Sequence, residues 1–214
     1  AARTVLRRMA MIHSLKKELR RHAPFTLLGA GSGIGLMLLL RMLPWDFAYE
    51  AFYTLHPLHV FLSGLVTASL YRFHRCSGNA TGRSGLLIAL VGYVGAVGVA
   101  TLSDSVIPYL GEWLLGLPNR GVHIGFIDKW WLVNPLAIGG VALAFLRPTT
   151  KVPHAGHVLL STYASLFHVM MAADEQVSAL QYAATFVFLL LAVWLPASLS
   201  DIVFPVVASH ESIR

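Results

Sequence analysis

His56-Pro-Leu-His59-Val-Phe-Leu-Ser63 returns later in the chain as His154-Ala-Gly-His157-Val-Leu-Leu-Ser161. Five of the eight positions match, including both histidines and the serine. A second pair follows in the same order. Ala100-Thr-Leu-Ser103-Asp104-Ser-Val-Ile-Pro108 corresponds to Ala197-Ser-Leu-Ser200-Asp201-Ile-Val-Phe-Pro205, with six of nine positions identical. The offset between copies is 97 to 98 residues in both cases. Two polar signatures in one order at one offset mark an internal duplication.

The segments that carry these signatures are apolar. The chain of 214 residues is 56% hydrophobic and only 12% charged, with a mean hydropathy of +0.66. Soluble domains run nearer roughly 45–50% apolar and about 25% charged. A soluble fold of this size would be left with large apolar surface patches, whereas lipid would cover them. The same composition excludes disorder. A crossing needs about 20 mostly apolar residues. Six stretches qualify: 25–43, 56–73, 85–117, 131–146, 154–173 and 178–209. The third and sixth are too long for one straight crossing. Each carries Ser-Asp followed by proline (Ser103, Asp104, Pro108 and Ser200, Asp201, Pro205). Proline removes an N–H and strains the preceding turn, so both helices are expected to kink or break there.

Each repeat thus has three spans. An odd number of crossings makes the second copy enter from the opposite side. The expected fold is all-α and polytopic, with six transmembrane helices as two inverted three-helix repeats, an architecture typical of secondary transporters. The division reads 1–24 as a basic interfacial amphipathic helix, 25–117 as repeat one, 118–130 as a connecting loop and 131–214 as repeat two. In the first segment Leu6, Met9, Ile12 and Leu15 recur at helical spacing among arginines and lysines, a pattern suited to an anionic leaflet. It is read as such rather than as a removed signal peptide. Arg72, Arg75 and Arg83, then Arg147 and Lys151, make alternate loops basic. Placing those loops and both termini in the cytoplasm satisfies the positive-inside rule. Trp45, Trp113, Trp130 and Trp131 fall at the opposite helix ends, as an aromatic belt would. The net charge of +6 is thereby assigned to lipid headgroups and not to nucleic acid. The sequence does not say which membrane.

The repeated polar residues carry the chemistry. His56, His59 and Ser63 share one helix face, as do His154, His157 and Ser161. Imidazoles combined with a carboxylate suit Zn²⁺ and neighbouring first-row divalent metals. The expected metal set is therefore His56, His59, Asp104, His154, His157 and Asp201. Ser63, Ser161, Ser103 and Ser200 would be weak ligands or hydrogen-bond supports. A proton-relay or polar-substrate role without metal is one alternative and local structural hydrogen bonding another, but an ionised Asp within a span costs several kcal/mol unless paired or lining a polar cavity. Glu112 is expected at the mouth of a path or as ordinary interfacial charge. His74, His123 and His168 have no counterpart in the other repeat and are expected to be satisfied locally. The lone Cys76 can form neither an internal disulfide nor a cysteine zinc cage. No phosphate loop or nucleophile motif occurs, and no catalytic residue is assigned.

Three functions compete. A transporter of a divalent metal cation, Zn²⁺ or similar, would bind it through histidine and aspartate and exchange it for protons. An intramembrane metalloenzyme acting on a lipid-like substrate would use the metal to activate water. It needs one complete asymmetric site, so the near-equal copies favour transport. A haem-binding electron carrier ranks last. Its iron would take one histidine from each of two facing helices, whereas these lie one turn apart. The partners expected are the bilayer, the cation and protons. The sequence leaves room for a homo-oligomer.

Overall fold

A computed structural model describes residues 2–40, 44–75, 82–149, 151–173 and 177–211, without the side chains at 2–18, 21–22, 74–75, 83, 151–155 and 199–211. Every regular element among the described residues is helical. Helix α1 spans Ala2–Leu40, and α2 spans Trp45–Arg75. Helix α3 (Gly82–Thr101) runs through a π turn (Leu102–Val106) into α4 (Ile107–Leu114). A single-turn α5 (Gly125–Asp128) precedes α6 (Trp130–Leu146), α7 (Lys151–Ala172) and α8 (Ala179–Glu211).

Among the described residues, three stretches are long and apolar enough to cross a membrane: Ala23–Leu40, Ser84–Leu114 and Ala179–Ser198. Trp130–Leu146 is apolar but shorter. Helices α2 and α7 fall short of that criterion because of what they hold inside. Their buried faces include His56, His59, Ser63, Thr67, His157, Ser161, Ser165 and His168. The outward faces are apolar instead. Only 28–33% of each candidate span is buried, and Leu28, Leu39, Leu86, Leu90 and Leu180 are more than half exposed. Polar groups inside and leucines outside reverse the order of a water-soluble fold, so the candidate spans suit a membrane.

The helices pack as two groups. Helix α2 lies against α3 and α6, and α7 lies against α1 and α8. Contact between α2 and α7 joins the groups. Leu65, Ala68, Tyr71, Ile88, Val141 and Ala144 fill the first group. Ala30, Met37, Leu166 and Leu189 fill the second. Small residues set the approach, as expected where lipid replaces water as the competitor for apolar faces. A Cβ at Gly140 would collide with the carbonyl oxygen of Phe61. One at Gly64 would lie 3.0 Å from the Ala137 oxygen, and one at Gly29 3.0 Å from the Thr162 hydroxyl.

Two boundaries differ from expectation. No helix end occurs near residue 24: α1 continues from Ala2 to Leu40 with Pro24 inside. The Trp194 indole donates to the Leu19 carbonyl at 2.8 Å, tying α8 to the turn before that proline. The two Ser-Asp-proline segments also behave differently. The first is a π turn leading into α4, while α8 is one helix from Ala179 to Glu211. An i→i+5 turn accommodates the first segment without ending the helix.

Replacing Gly140 with Ala drives a methyl group into the α2 backbone, and thermal unfolding in detergent should show a loss of about 1–3 kcal/mol. Gly31, which has open space around it, should tolerate Ala and gain up to about 1 kcal/mol of helix stability.

Candidate functional site: a buried carboxylate between two helix groups

The π turn places Asp104 between α2 and α7, with its side chain fully buried. A carboxylate in such a place must replace its water shell with protein donors. Four are present. His56 Nδ1 lies 2.9 Å from Oδ2, and His59 Nδ1 2.7 Å from the same oxygen. The hydroxyls of Ser103 and Ser161 donate to Oδ1 at 2.6 and 2.7 Å. Against an ionised carboxylate both imidazoles donate from Nδ1.

The π register explains the next shell. Ile107 N–H bonds to the Leu102 carbonyl, five residues back. In that register the Ser103 carbonyl would accept from residue 108, which is proline and has no N–H. The Ser165 hydroxyl of α7 fills the gap, lying 2.9 Å from the Ser103 oxygen and 2.7 Å from that of Ser161. Helix α7 therefore serves both the carboxylate and the backbone that bends to present it.

Of the sequence candidates, His56, His59, Ser103, Ser161 and Asp104 form one cluster. His157 joins it through its ring, stacked on His59 at 5.8 Å and 9°. Pro108 opens the helix that follows the π turn. Ser63 is buried, but the serine from outside α3–α4 that bonds Asp104 is Ser161. The side chains of His154, Ser200, Asp201 and Pro205 lie outside the described residues, as does Cys76. Among the described residues no group of three or more His, Cys, Asp or Glu side chains is arranged as a metal cage. The cluster is held by hydrogen bonds.

Glu112 is not a mouth residue. It is fully buried and lies 2.6 Å from Nδ1 of His168, which is equally buried. Both were assigned a bland role from sequence. The missed signal is one of spacing. Ser161 and His168 are seven residues apart on α7, close to two full turns. Asp104 and Glu112 are eight apart, which in an α-helix leaves them roughly 80° out of line. The π turn absorbs about one residue of that spacing and brings Glu112 round to face α7.

The segment after α4 closes this end of the cluster. The Ser105 hydroxyl donates to the His123 carbonyl at 2.6 Å. Gly121 N–H points at Glu112 Oε2 from 3.4 Å. Gly125 sits so close to the His56 ring that any Cβ would collide with it. Tyr53 donates to Asp128 at 2.9 Å, and Lys129 lies 5.3 Å from the ring centres of Tyr49 and Tyr53. Burial is the largest influence on His123, favouring its neutral form, and His168 acts in the same direction against Asp128 and Glu112.

Asp104→Ala strands two N–H and two O–H donors in the interior and should cost about 3–5 kcal/mol in detergent unfolding. Ser165→Ala should cost about 1–3 kcal/mol by orphaning the Ser103 carbonyl, and Ser32→Ala, at an exposed hydroxyl, should cost almost nothing.

Set against known protein families, curated proteins and solved structures, the chain matches none of them.

Proposed function

We propose that the protein is a membrane transporter of a divalent first-row metal cation, exchanging it for protons at buried His/Asp sites between two inverted three-helix repeats. One observation carries the reading. The buried carboxylate Asp104 is shared between α2, through His56 and His59, and α7, through Ser161. A charge at the seam of two helix groups is placed where relative movement of the groups would expose it first to one side and then to the other.

The packing supports the repeat. Exchanging α1 with α6, α2 with α7, and α3–α4 with α8 turns each helix group into the other, and the joining contact between α2 and α7 maps onto itself. In this scheme all six long helical elements cross the bilayer. The sequence equivalence makes His154, His157, Asp201 and Ser63 the counterparts of His56, His59, Asp104 and Ser161.

The cluster's atoms suit exchange. Two imidazole nitrogens converge on one carboxylate oxygen at 2.7 and 2.9 Å. Bonds of about 2.0–2.1 Å to zinc put tetrahedral ligands roughly 3.3 Å apart. An opening of about half an ångström would therefore admit a cation among these three atoms. To enter, the cation must take the place of the two Nδ1 protons. On neutral rings those protons shift to Nε2, and a ring that starts as imidazolium releases one proton, which couples cation entry to proton release. The serines would remain on the second carboxylate oxygen and keep it oriented. The net charge supports the same direction: a lone buried carboxylate is costly in a bilayer, and a proton or a cation neutralises it.

Purified protein in liposomes should accumulate Zn²⁺ or a neighbouring divalent metal. The paired change His59→Ala/His157→Ala should reduce uptake to the level of empty liposomes. Undiminished uptake in that variant would refute the assignment. Metal-dependent turnover of a lipid substrate without any ion flux would establish the enzyme reading instead.

A further inference from the structure

The Asp104 cluster leaves a second buried acid–base pair unaccounted for. Glu112 and His168 are both completely inaccessible and lie 2.6 Å apart. Nothing about helix packing requires them: a buried ion pair is often no better for stability than apolar residues of the same volume. The pair is also incompletely satisfied. His168 Nε2 is buried with no hydrogen-bond partner. Among the described residues the second oxygen of Glu112 receives only the long contact from Gly121 N–H at 3.4 Å.

Nε2 is the ring nitrogen of His168 left without a partner among the described residues. With Nδ1–H donating to an ionised Glu112, the pair carries one negative charge in the interior. That charge is costly. One proton added at Nε2 turns the pair into imidazolium and carboxylate, with no net charge. The pair is therefore poised to take up a proton.

A second imidazole stands beside it. The His123 ring meets that of His168 edge to face at 5.3 Å. His123 is partly exposed and belongs to the segment between α4 and α5. The other groups facing the pair are apolar or engaged elsewhere. Phe52 of α2 packs edge to face on His168 at 5.4 Å and stacks on His56 at 5.2 Å, so that it separates the two acid–base centres. Tyr49 of α2 contacts His123 at 6.3 Å. Asp128 of α5 accepts from Tyr53, and Lys129 lies over the rings of Tyr49 and Tyr53. Burial holds His123 toward its neutral form.

We propose that Glu112 and His168 form a proton-binding site separate from the Asp104 centre and beside the partly exposed His123. Eight residues along a helix separate Glu112 from Asp104, roughly 12 Å. A charge gained at one centre is therefore felt at the other through a low-dielectric interior. Coupling of this proton to cation movement rests on the transport reading; occupancy of the site by a proton does not.

Two measurements separate those statements. Protein labelled with ¹⁵N-histidine in lipid bilayers should show an imidazolium signal that vanishes in Glu112→Gln and in His168→Gln and persists in Asp104→Asn. Identical imidazolium signals in the wild type and in both Glu112→Gln and His168→Gln, across the whole pH titration, would overturn the site. Should Glu112→Gln fail to fold, His168→Gln alone decides. In liposomes, accumulation of Zn²⁺ driven by a pH gradient should fall by about tenfold or more in Glu112→Gln while downhill Zn²⁺ movement continues. Gradient-driven accumulation at the wild-type level would overturn the coupling role. A wild type that moves no metal by either route refutes the transport reading and the coupling with it, and the imidazolium signal then tests the proton site independently.

Discussion

Everything at the centre of this molecule answers to one constraint: an aspartate side chain has been taken out of water. Asp104 keeps its place because four donors replace the solvent it lost. Those donors dictate the surroundings. Two imidazoles must come from one face of α2, one turn apart. One hydroxyl must come from α7, so α7 cannot drift from α2. The backbone that carries Asp104 must leave ordinary helical register, and α7 again supplies the hydroxyl that compensates. The tight contact of α2 with α7 thus has a polar reason in addition to an apolar one.

Much of this was legible in the chain. The spacing of His56, His59 and Ser161 identified a polar face on two helices, and the repeat placed Asp104 with them. Reading an alternation of apolar and basic segments also gave the helices, because periodicity and loop charge are properties of local sequence. Four things were not legible. Sequence spacing alone presents His and Asp as co-ligands, but cannot say that the carboxylate would be saturated by hydrogen bonds. Nor does spacing say which serines reach the carboxylate: Asp104 takes Ser103 beside it and Ser161 from α7, and the second is a tertiary fact. Glu112 and His168 were passed over because neither has a counterpart in the other copy. Finally, the two Ser-Asp-proline segments look alike as letters. Only the first becomes a π turn, since the hydrogen bonds that select the register come from residues far away in the chain.

The inside-out distribution of side chains has its own logic. In water, apolar burial drives assembly, and polar groups accumulate on the outside. With leucines facing outward in α1, α3 and α8, that drive is absent between helices, and close backbone approach takes over. The glycines at 29, 64 and 140 permit it. Hydrogen bonds between α2, α7 and the π turn then add direction to contacts that packing alone would leave free to slide.

The proline at 108 allows a choice that no other residue would. In either register one carbonyl of the preceding turn must go without its N–H. In α register the loser is Asp104; in π register it is Ser103. Ser165 reaches the second, and so the hydroxyl of a distant helix selects how the third helix is wound. Winding and helix contact become one variable. Any movement that draws α7 away from the turn removes the reason for the extra residue in it, and a rewound helix would carry Glu112 out of line with Asp104. Separation of the two halves and rotation of the buried acids are, in mechanical terms, geared together.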